Sequence, residues 1–294
     1  MSRLTDSVFD FFLYFRLGSS RPQDSPQVVF VERDWKDTKR LIALDELPGL
    51  YSGDIRVCVI SDTHDRHMVI SNQIPECDLL IHAGDILMSS RFVSAQGRIQ
   101  KYREFNDWLG TLLLEKKVKK IVVIGGNHDT TLELLPLKEV EALLSNATFL
   151  CNNATKVGGF TCFGSPVSSG RSGNSAFQSV EAAARSQEGM ARFLEDSNKN
   201  STSSQLDILV THGPCPRNLL SMTGLPPRVI VHGHEHANHG AECVNIDNKQ
   251  QLQVCASIMD ARYCPVQLPI VFDLKPVAFP SLLPPATTSP TTDD

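Results

Sequence analysis

The chain has 294 residues, 41% hydrophobic and 21% charged, with 28 Lys and Arg against 33 Asp and Glu for a net charge of −5 at pH 7. That is enough apolar material for one large α/β core or two smaller ones. The acidic balance argues against a general electrostatic footprint for a nucleic-acid polymer or an anionic membrane, and no apolar run approaches the ~18 residues of a membrane span.

Residues 1–54 show no strong period. The aromatic run Val8-Phe9-Asp10-Phe11-Phe12-Leu13-Tyr14-Phe15, preceded by Asp6 and interrupted by Asp10, reads as a terminal helix or strand. This makes 1–54 an N-terminal extension packing on the domain. From residue 55 short apolar runs recur at 55–60, 79–81, 120–124, 160–163, 208–210, 228–231, 252–256 and 270–274. Most are β-branched, which suits strands buried on both faces. Helical spacing marks 98–114, through Tyr102, Phe105, Leu109, Leu112 and Leu113, and also 134–144 and 180–194. Strands mixed with helices predict an α/β domain over 55–275. Ser-, Asn- and Gly-rich stretches at 165–173 and 196–205 bracket the third helix and read as a flexible insertion at about 165–205, a lid or a plain excursion. Residues 276–294 are dense in Pro, Ser and Thr and read as a disordered tail. Eight cysteines without a Cys-x-x-Cys pair, several inside apolar runs, read as reduced thiols of a cytoplasmic protein.

The nine histidines fall in or beside a few short motifs. Five predicted strands run into Ser61-Asp62-Thr63-His64, His82-Ala83-Gly84-Asp85, Gly125-Gly126-Asn127-His128-Asp129, Thr211-His212-Gly213-Pro214 and His232-Gly233-His234-Glu235-His236. Ligands bind at the carboxyl ends of strands in open α/β sheets. In extended chain residues i and i+2 point to one side, so Asp62 with His64, and His234 with His236, are each expected to aim two side chains at one site. Gly84, Gly126, Gly213 and Gly233 stand beside these residues, where backbone freedom would let a loop turn tightly. Carboxylate, amide oxygen and neutral imidazole suit Mn, Fe, Zn or similar divalent ions. Six or seven donors are too many for one tetrahedral ion and about right for two that share a carboxylate. His82 and His232, inside strand-like runs, read as buried supporting residues. His67 and His239 lie near the expected mouth. Cys215 reads as an ordinary thiol and Lys116–Lys120 as a solvated helix end.

The ordered set Asp-x-His, Gly-Asp, Gly-Asn-His-Asp, His, Gly-His-x-His resembles the signature of the calcineurin-like metallophosphoesterases over about residues 55–274. It is similar in particular to their metallophosphoesterase-domain-containing subgroup, through Phe105-Asn106-Asp107-Trp108-Leu109-Gly110, Thr211-His212-Gly213-Pro214 and Pro269-Ile270-Val271-Phe272-Asp273-Leu274. The resemblance implies a four-layer α-β-β-α sandwich of two mixed sheets. It implies that Asp62, His64 and His236 hold one metal ion, that Asn127, His212 and His234 hold the other, and that Asp85 bridges them. His128 would contact substrate and act as acid, with Asp129 orienting its ring, and Asn127 and His239 would join His128 in binding substrate. The stretch Val167-Ser168-Ser169-Gly170-Arg171 lacks the aromatic residues that the subgroup tends to carry after Gly-x-Pro, and the segment between His212 and His234 is short. Both departures bear on substrate identity. His234 is kept where some subgroup members lack it.

The expected reaction is hydrolysis of a phosphodiester by attack of a metal-bridging hydroxide, with a cyclic nucleotide as the class the subgroup suggests. Two divalent ions contribute +4, Asp62 and Asp85 −2 and hydroxide −1, so the remaining +1 is neutralised by a diester monoanion. A monoester dianion would call for an arginine clamp. Gly84-Asp85 is followed by Ile86-Leu87-Met88-Ser89-Ser90, with Arg91 off the register that phosphoprotein phosphatases use, although folding could still bring Arg66, Arg171 or Arg217 to the pocket. A phosphomonoesterase or protein phosphatase is the alternative enzyme, and a non-catalytic scaffold on the same fold the alternative class. The partner expected is a small phosphate ester, and no protein partner is indicated.

Overall fold

The computed structural model describes residues 26–33, 35, 39–89, 92–115, 118–169, 174–199, 206–246 and 248–276. The aromatic run 8–15, Arg171, much of the 196–205 stretch and the tail beyond Pro276 lie outside them. In chain order the elements are β1 (Gln27–Val31), β2 (Lys39–Ala43), β3 (Ile55–Ile60), β4 (Cys77–His82), α1 (Ala95–Leu114), β5 (Val118–Val123), α2 (Thr130–Leu134), α3 (Leu137–Leu143) and β6 (Thr148–Phe149). There follow β7 (Asn153–Val157), β8 (Phe160–Ser165), α4 (Val180–Lys199), β9 (Ile208–Thr211), α5 (Arg217–Ser221), β10 (Val229–His232), β11 (Gly240–Ile246), β12 (Lys249–Cys255) and β13 (Ile270–Leu274).

The strands form two mixed sheets, ordered β2-β1-β13-β3-β4-β5-β6 and β11-β12-β10-β9-β8-β7. Side-chain alternation explains why they stack. Val57 and Val59 of β3, Leu79 and Ile81 of β4 and Val122 of β5 face Ile208 and Val210 of β9, Val229 and Val231 of β10 and Val254 of β12. The alternate residues, Cys58, Ile60, Leu80, Ile121 and Val123, pack outward on Tyr102, Phe105, Trp108 and Leu109 of α1. On the second sheet, Phe163, Leu209 and Ile230 pack on Met190 of α4 and Leu219 of α5. The result is the expected α-β-β-α sandwich, and the helix inside the 165–205 stretch belongs to its outer layer.

Local chemistry sets the boundaries. Ser94 caps α1 by accepting from the Gly97 N–H at 3.0 Å, so the helix starts earlier than residue 98. The helix expected over 134–144 is two helices. Pro136 has no N–H and holds Leu135 extended (φ −79°, ψ 145°), which ends α2 and starts α3. Region 1–54 contains β1 and β2, with β1 parallel to β13 at the edge side of the first sheet. Within the described residues no helix is long and apolar enough to cross a membrane.

Candidate metal centre

The central strands β3, β4, β5 and β6 run parallel, as do β8, β9, β10 and β12 of the other sheet. Their carboxyl ends meet, and an isolated bridge between Ser61 and Ser257 joins the two sheets there. Asp62 follows β3, Asp85 follows β4, Asn127 follows β5, His212 follows β9, and His234 and His236 follow β10.

Convergence of Asp62 with His64 does not come from extended chain, as the i, i+2 argument expected. Asp62, His64, Asp85 and His234 all lie in the left-handed region, with φ of 54°, 43°, 55° and 67°. His236 begins a short 3-10 turn. Each loop curls sharply where its strand ends, and non-glycine residues held in that region mark a site over-determined by its surroundings. The glycines also differ from expectation. Gly84 alone of the four has a positive φ. Gly126 and Gly233 are required for space, because a methyl group would strike Asp85 and the His212 ring at the first and Ser61 and Asp62 at the second.

Among the described residues three overlapping groups of donor atoms result, each within 4.8 Å: Asp62, His64 and His236; His64, Asp85 and His128; and Asp85, His212 and His234. Asp85 turns Oδ1 toward His212 Nε2 at 3.3 Å and Oδ2 toward His64 Nε2 at 3.7 Å. On one side His64 Nε2 faces His236 Nε2 at 3.3 Å, and His236 Nε2 faces Asp62 Oδ1 at 3.2 Å. On the other, Asn127 Oδ1 lies 3.0 Å from His212 Nε2 and 2.8 Å from His234 Nδ1.

The surrounding bonds fix which atoms face inward. Asn127 Nδ2 donates to the Asn174 carbonyl at 3.1 Å, which leaves Oδ1 for the centre. His64 Nδ1 donates to the Leu87 carbonyl at 3.2 Å and His212 Nδ1 to the Ala83 carbonyl at 2.8 Å. In the neutral rings both Nε2 atoms are therefore lone-pair donors, the usual arrangement of metal-binding histidines. Backbone N–H groups hold the carboxylates: His234 N–H donates to Asp62 and His128 N–H to Asp85, the latter at 2.8 Å.

The local field favours cations. Burial opposes ionisation of Asp85, yet the nearby imidazoles, His212 foremost, hold its carboxyl far below the usual range. Burial also opposes the His212 cation, but Asp85 and Asp62 raise it to about 9. His64 goes the other way, driven by burial to about 4. Lone pairs crowded around two buried carboxylates, with no thiolate among them, are chemistry that suits divalent ions.

His128 is 8% exposed at the edge of the centre, with Nε2 3.9 Å from Asp85 Oδ2. Its Nδ1 accepts from the Ser89 N–H at 3.3 Å, and its carbonyl accepts from Ser89 Oγ at 2.8 Å. Nε2 is thus the protonated nitrogen of the neutral ring. The Asn174 amide lies 3.4 Å from both ring nitrogens. Ser89 and Asn174 orient this ring. Asp129, expected to do so, does something else: Oδ2 accepts from Gly126 and Ile86 N–H at 2.9 and 3.2 Å, and Oδ1 from Leu87 N–H and Tyr102 Oη at 3.3 and 2.9 Å. It ties the β4 and β5 loops together, and burial followed by the charge of Asp85 pushes it up to about 7.

His82 is buried, with Nε2 2.9 Å from Thr63 Oγ1, and His232 is a half-buried strand residue. His67 meets the Phe105 ring edge-on and the Trp108 ring at a tilt. His239, expected to bind substrate, turns Nε2 to the Leu268 carbonyl at 2.8 Å. Arg217 is exposed at the start of α5. Sequence reasoning passed over Ser89 and Asn174, whose types carry no distinctive chemistry, and Tyr263, whose ring lies 4.6 Å from His236 and 5.1 Å from His64.

The pattern that defines the calcineurin-like phosphoesterase family matches residues 55–238. Metallophosphoesterase domain-containing protein 1 of Homo sapiens is 30% identical over 261 residues, covering 76% of this chain and 72% of its own length; the Mus musculus protein of that name matches equally. A UPF0046 protein of Caenorhabditis elegans is 26% identical over 259 residues, covering 76% of this chain and 83% of its own length. With its two sheets, its outer helices and the His and Asp cluster at their shared edge, the chain belongs to the calcineurin-like phosphoesterase family.

Proposed function

We propose that this protein is a phosphodiesterase dependent on two divalent metal ions, with a small diester such as a cyclic nucleotide as its substrate class. The observation that carries the reading is Asp85, whose two oxygens face opposite halves of the centre. Asp62, His64 and His236 would hold one ion, Asn127, His212 and His234 the other, with Asp85 between them. When bound, such ions, with Mn, Fe and Zn all compatible with these donors, supply Lewis-acid polarisation and lower the pKa of water toward ~7.

The residues of the chain account for the remaining steps. Asp62 and Asp85 together with one hydroxide would leave +1 against two divalent ions, a surplus that attracts a phosphate ester and that a monoanionic diester matches without an arginine clamp. His128 stands beside Asp85 with its Nε2 proton directed into the centre, placed to give a proton to the leaving oxygen. Burial lowers its pKa in the free protein. An anionic ester beside it favours the protonated form. Ser89 and Asn174 hold the ring in that orientation. The free-thiol state of all eight cysteines supports a cytoplasmic setting.

The test compares hydrolysis of bis-p-nitrophenyl phosphate with that of p-nitrophenyl phosphate, with Mn²⁺ and with chelator, alongside metal analysis. Mn²⁺-dependent diester cleavage and about two ions per chain are expected. Preference for the monoester moves the reading to a phosphomonoesterase, and inactivity with every metal moves it to a scaffold.

A further inference from the structure

We propose that Tyr263 is a specificity-determining residue whose ring receives the organic group of the substrate. This rests on the phosphoesterase reading above and adds to it where the non-phosphate part of the ester lies. Tyr263 comes from the loop between β12 and β13, which returns to the same edge of the sandwich as the donor loops. Its ring is centred 4.6 Å from His236, 5.1 Å from His64 and 6.3 Å from His128. His64 and His128 are themselves 4.6 Å apart. Tyr263, His64 and His128 therefore form one triangle of neighbouring rings, with Tyr263 half-buried and the two histidines buried. A phosphate seated on the donors would direct its leaving oxygen toward His128, so the carbon skeleton beyond that oxygen passes the Tyr263 ring. Aromatic faces take up aryl and nucleobase rings well.

The ring is held in place. Tyr263 has φ of 58°, a conformation a bulky residue rarely adopts unless its surroundings enforce it. Asp260 builds the turn that does so. Its Oδ1 accepts from the Arg262 and Cys264 N–H groups at 2.8 and 2.9 Å, its carbonyl accepts from the Tyr263 N–H at 2.9 Å, and its own N–H donates to the Cys264 carbonyl at 2.9 Å. Gln267 then ties the loop to the donor loops, through Nε2 to the His236 carbonyl at 2.9 Å. The residue itself is half-buried, so part of it remains open to solvent.

The experiment titrates Mn²⁺-loaded protein by calorimetry with inorganic phosphate and with phenyl phosphate, which differ in the aromatic ring. Wild-type protein is expected to bind phenyl phosphate about tenfold more tightly than phosphate. Tyr263→Phe should keep that ratio, and Tyr263→Ala should bring it to about one while phosphate affinity and metal content hold. Phosphate binding with no aryl preference in the wild type, or an equal loss for both probes in Tyr263→Ala, overturns the assignment of Tyr263 and leaves the phosphoesterase reading standing. Failure of wild-type protein to bind either probe overturns the assignment of Tyr263, while the phosphodiesterase reading stands or falls with the bis-p-nitrophenyl phosphate assay.

Discussion

The two sheets contribute unequal halves to the centre. The first supplies both carboxylates, Asn127, His64 and His128, all at most 8% exposed. Its loops are braced among themselves by Asp129, Tyr102 and the Thr63–His82 pair. The second supplies His212, His234 and His236, of which the last two are half-buried. Its loops lean on the first: His234 N–H donates to Asp62, and His212 Nδ1 donates to the Ala83 carbonyl. One half is a frame braced mainly within its own sheet, with Asn174 and the His234 N–H as its outside supports, and the other completes it. Damage to the frame should therefore spread, whereas damage to the completing half should stay local.

The largest effect is expected from Asp85→Asn. We expect turnover to fall by roughly 10³-fold or more and metal content to drop on both sides, because the loss of several kcal/mol of charge stabilisation falls on the shared carboxylate. Metal analysis that still finds two ions would show Asp85 is not shared. His128→Ala should cost about 10²–10⁴-fold in kcat with metal retained. Metal loss would instead make His128 a ligand, as its place in the His64 and Asp85 group allows.

Asp129→Ala tests the brace. Metal affinity should fall by about 10–100-fold without loss of any donor, read by competition with a chromogenic chelator. His236→Ala, in the completing half, should leave the second-ion donors Asn127, His212 and His234 loaded. Smallest of all, Tyr102→Phe removes one hydrogen bond to Asp129 and should lower stability by about 1.5–3 kcal/mol, read by denaturant titration. A larger effect on metal content than on stability would mean that Tyr102 positions Asp129 and does more than fill space.

Much of this was legible in the sequence because the chemistry is concentrated. Asp, Asn and His at the ends of β-branched runs gave the strand ends and the donor types together. What escaped was whatever depends on return paths of the chain. Strand β2, with Lys39 and Arg40, and strands β7 and β11 lie at sheet edges where polar residues interrupt the pattern. Asn174 and Tyr263 reach the centre from loops far along the chain, and nothing in an isolated Asn or Tyr marks it as part of a site. Asp129 was misread because adjacency to His128 suggested contact, whereas the turn after β5 sends its carboxylate back toward Ile86, Leu87 and Tyr102.

The apolar layer between the sheets has a role beyond stability. Since the donors are divided between two stacked slabs, the gauge of the whole centre is set by how Val57, Val59 and Ile81 mesh with Val210, Val231 and Val254. Interiors so densely filled resist sliding. A methylene removed deep in that seam, remote from any histidine, would let the slabs shift and would detune the chemistry at their rim.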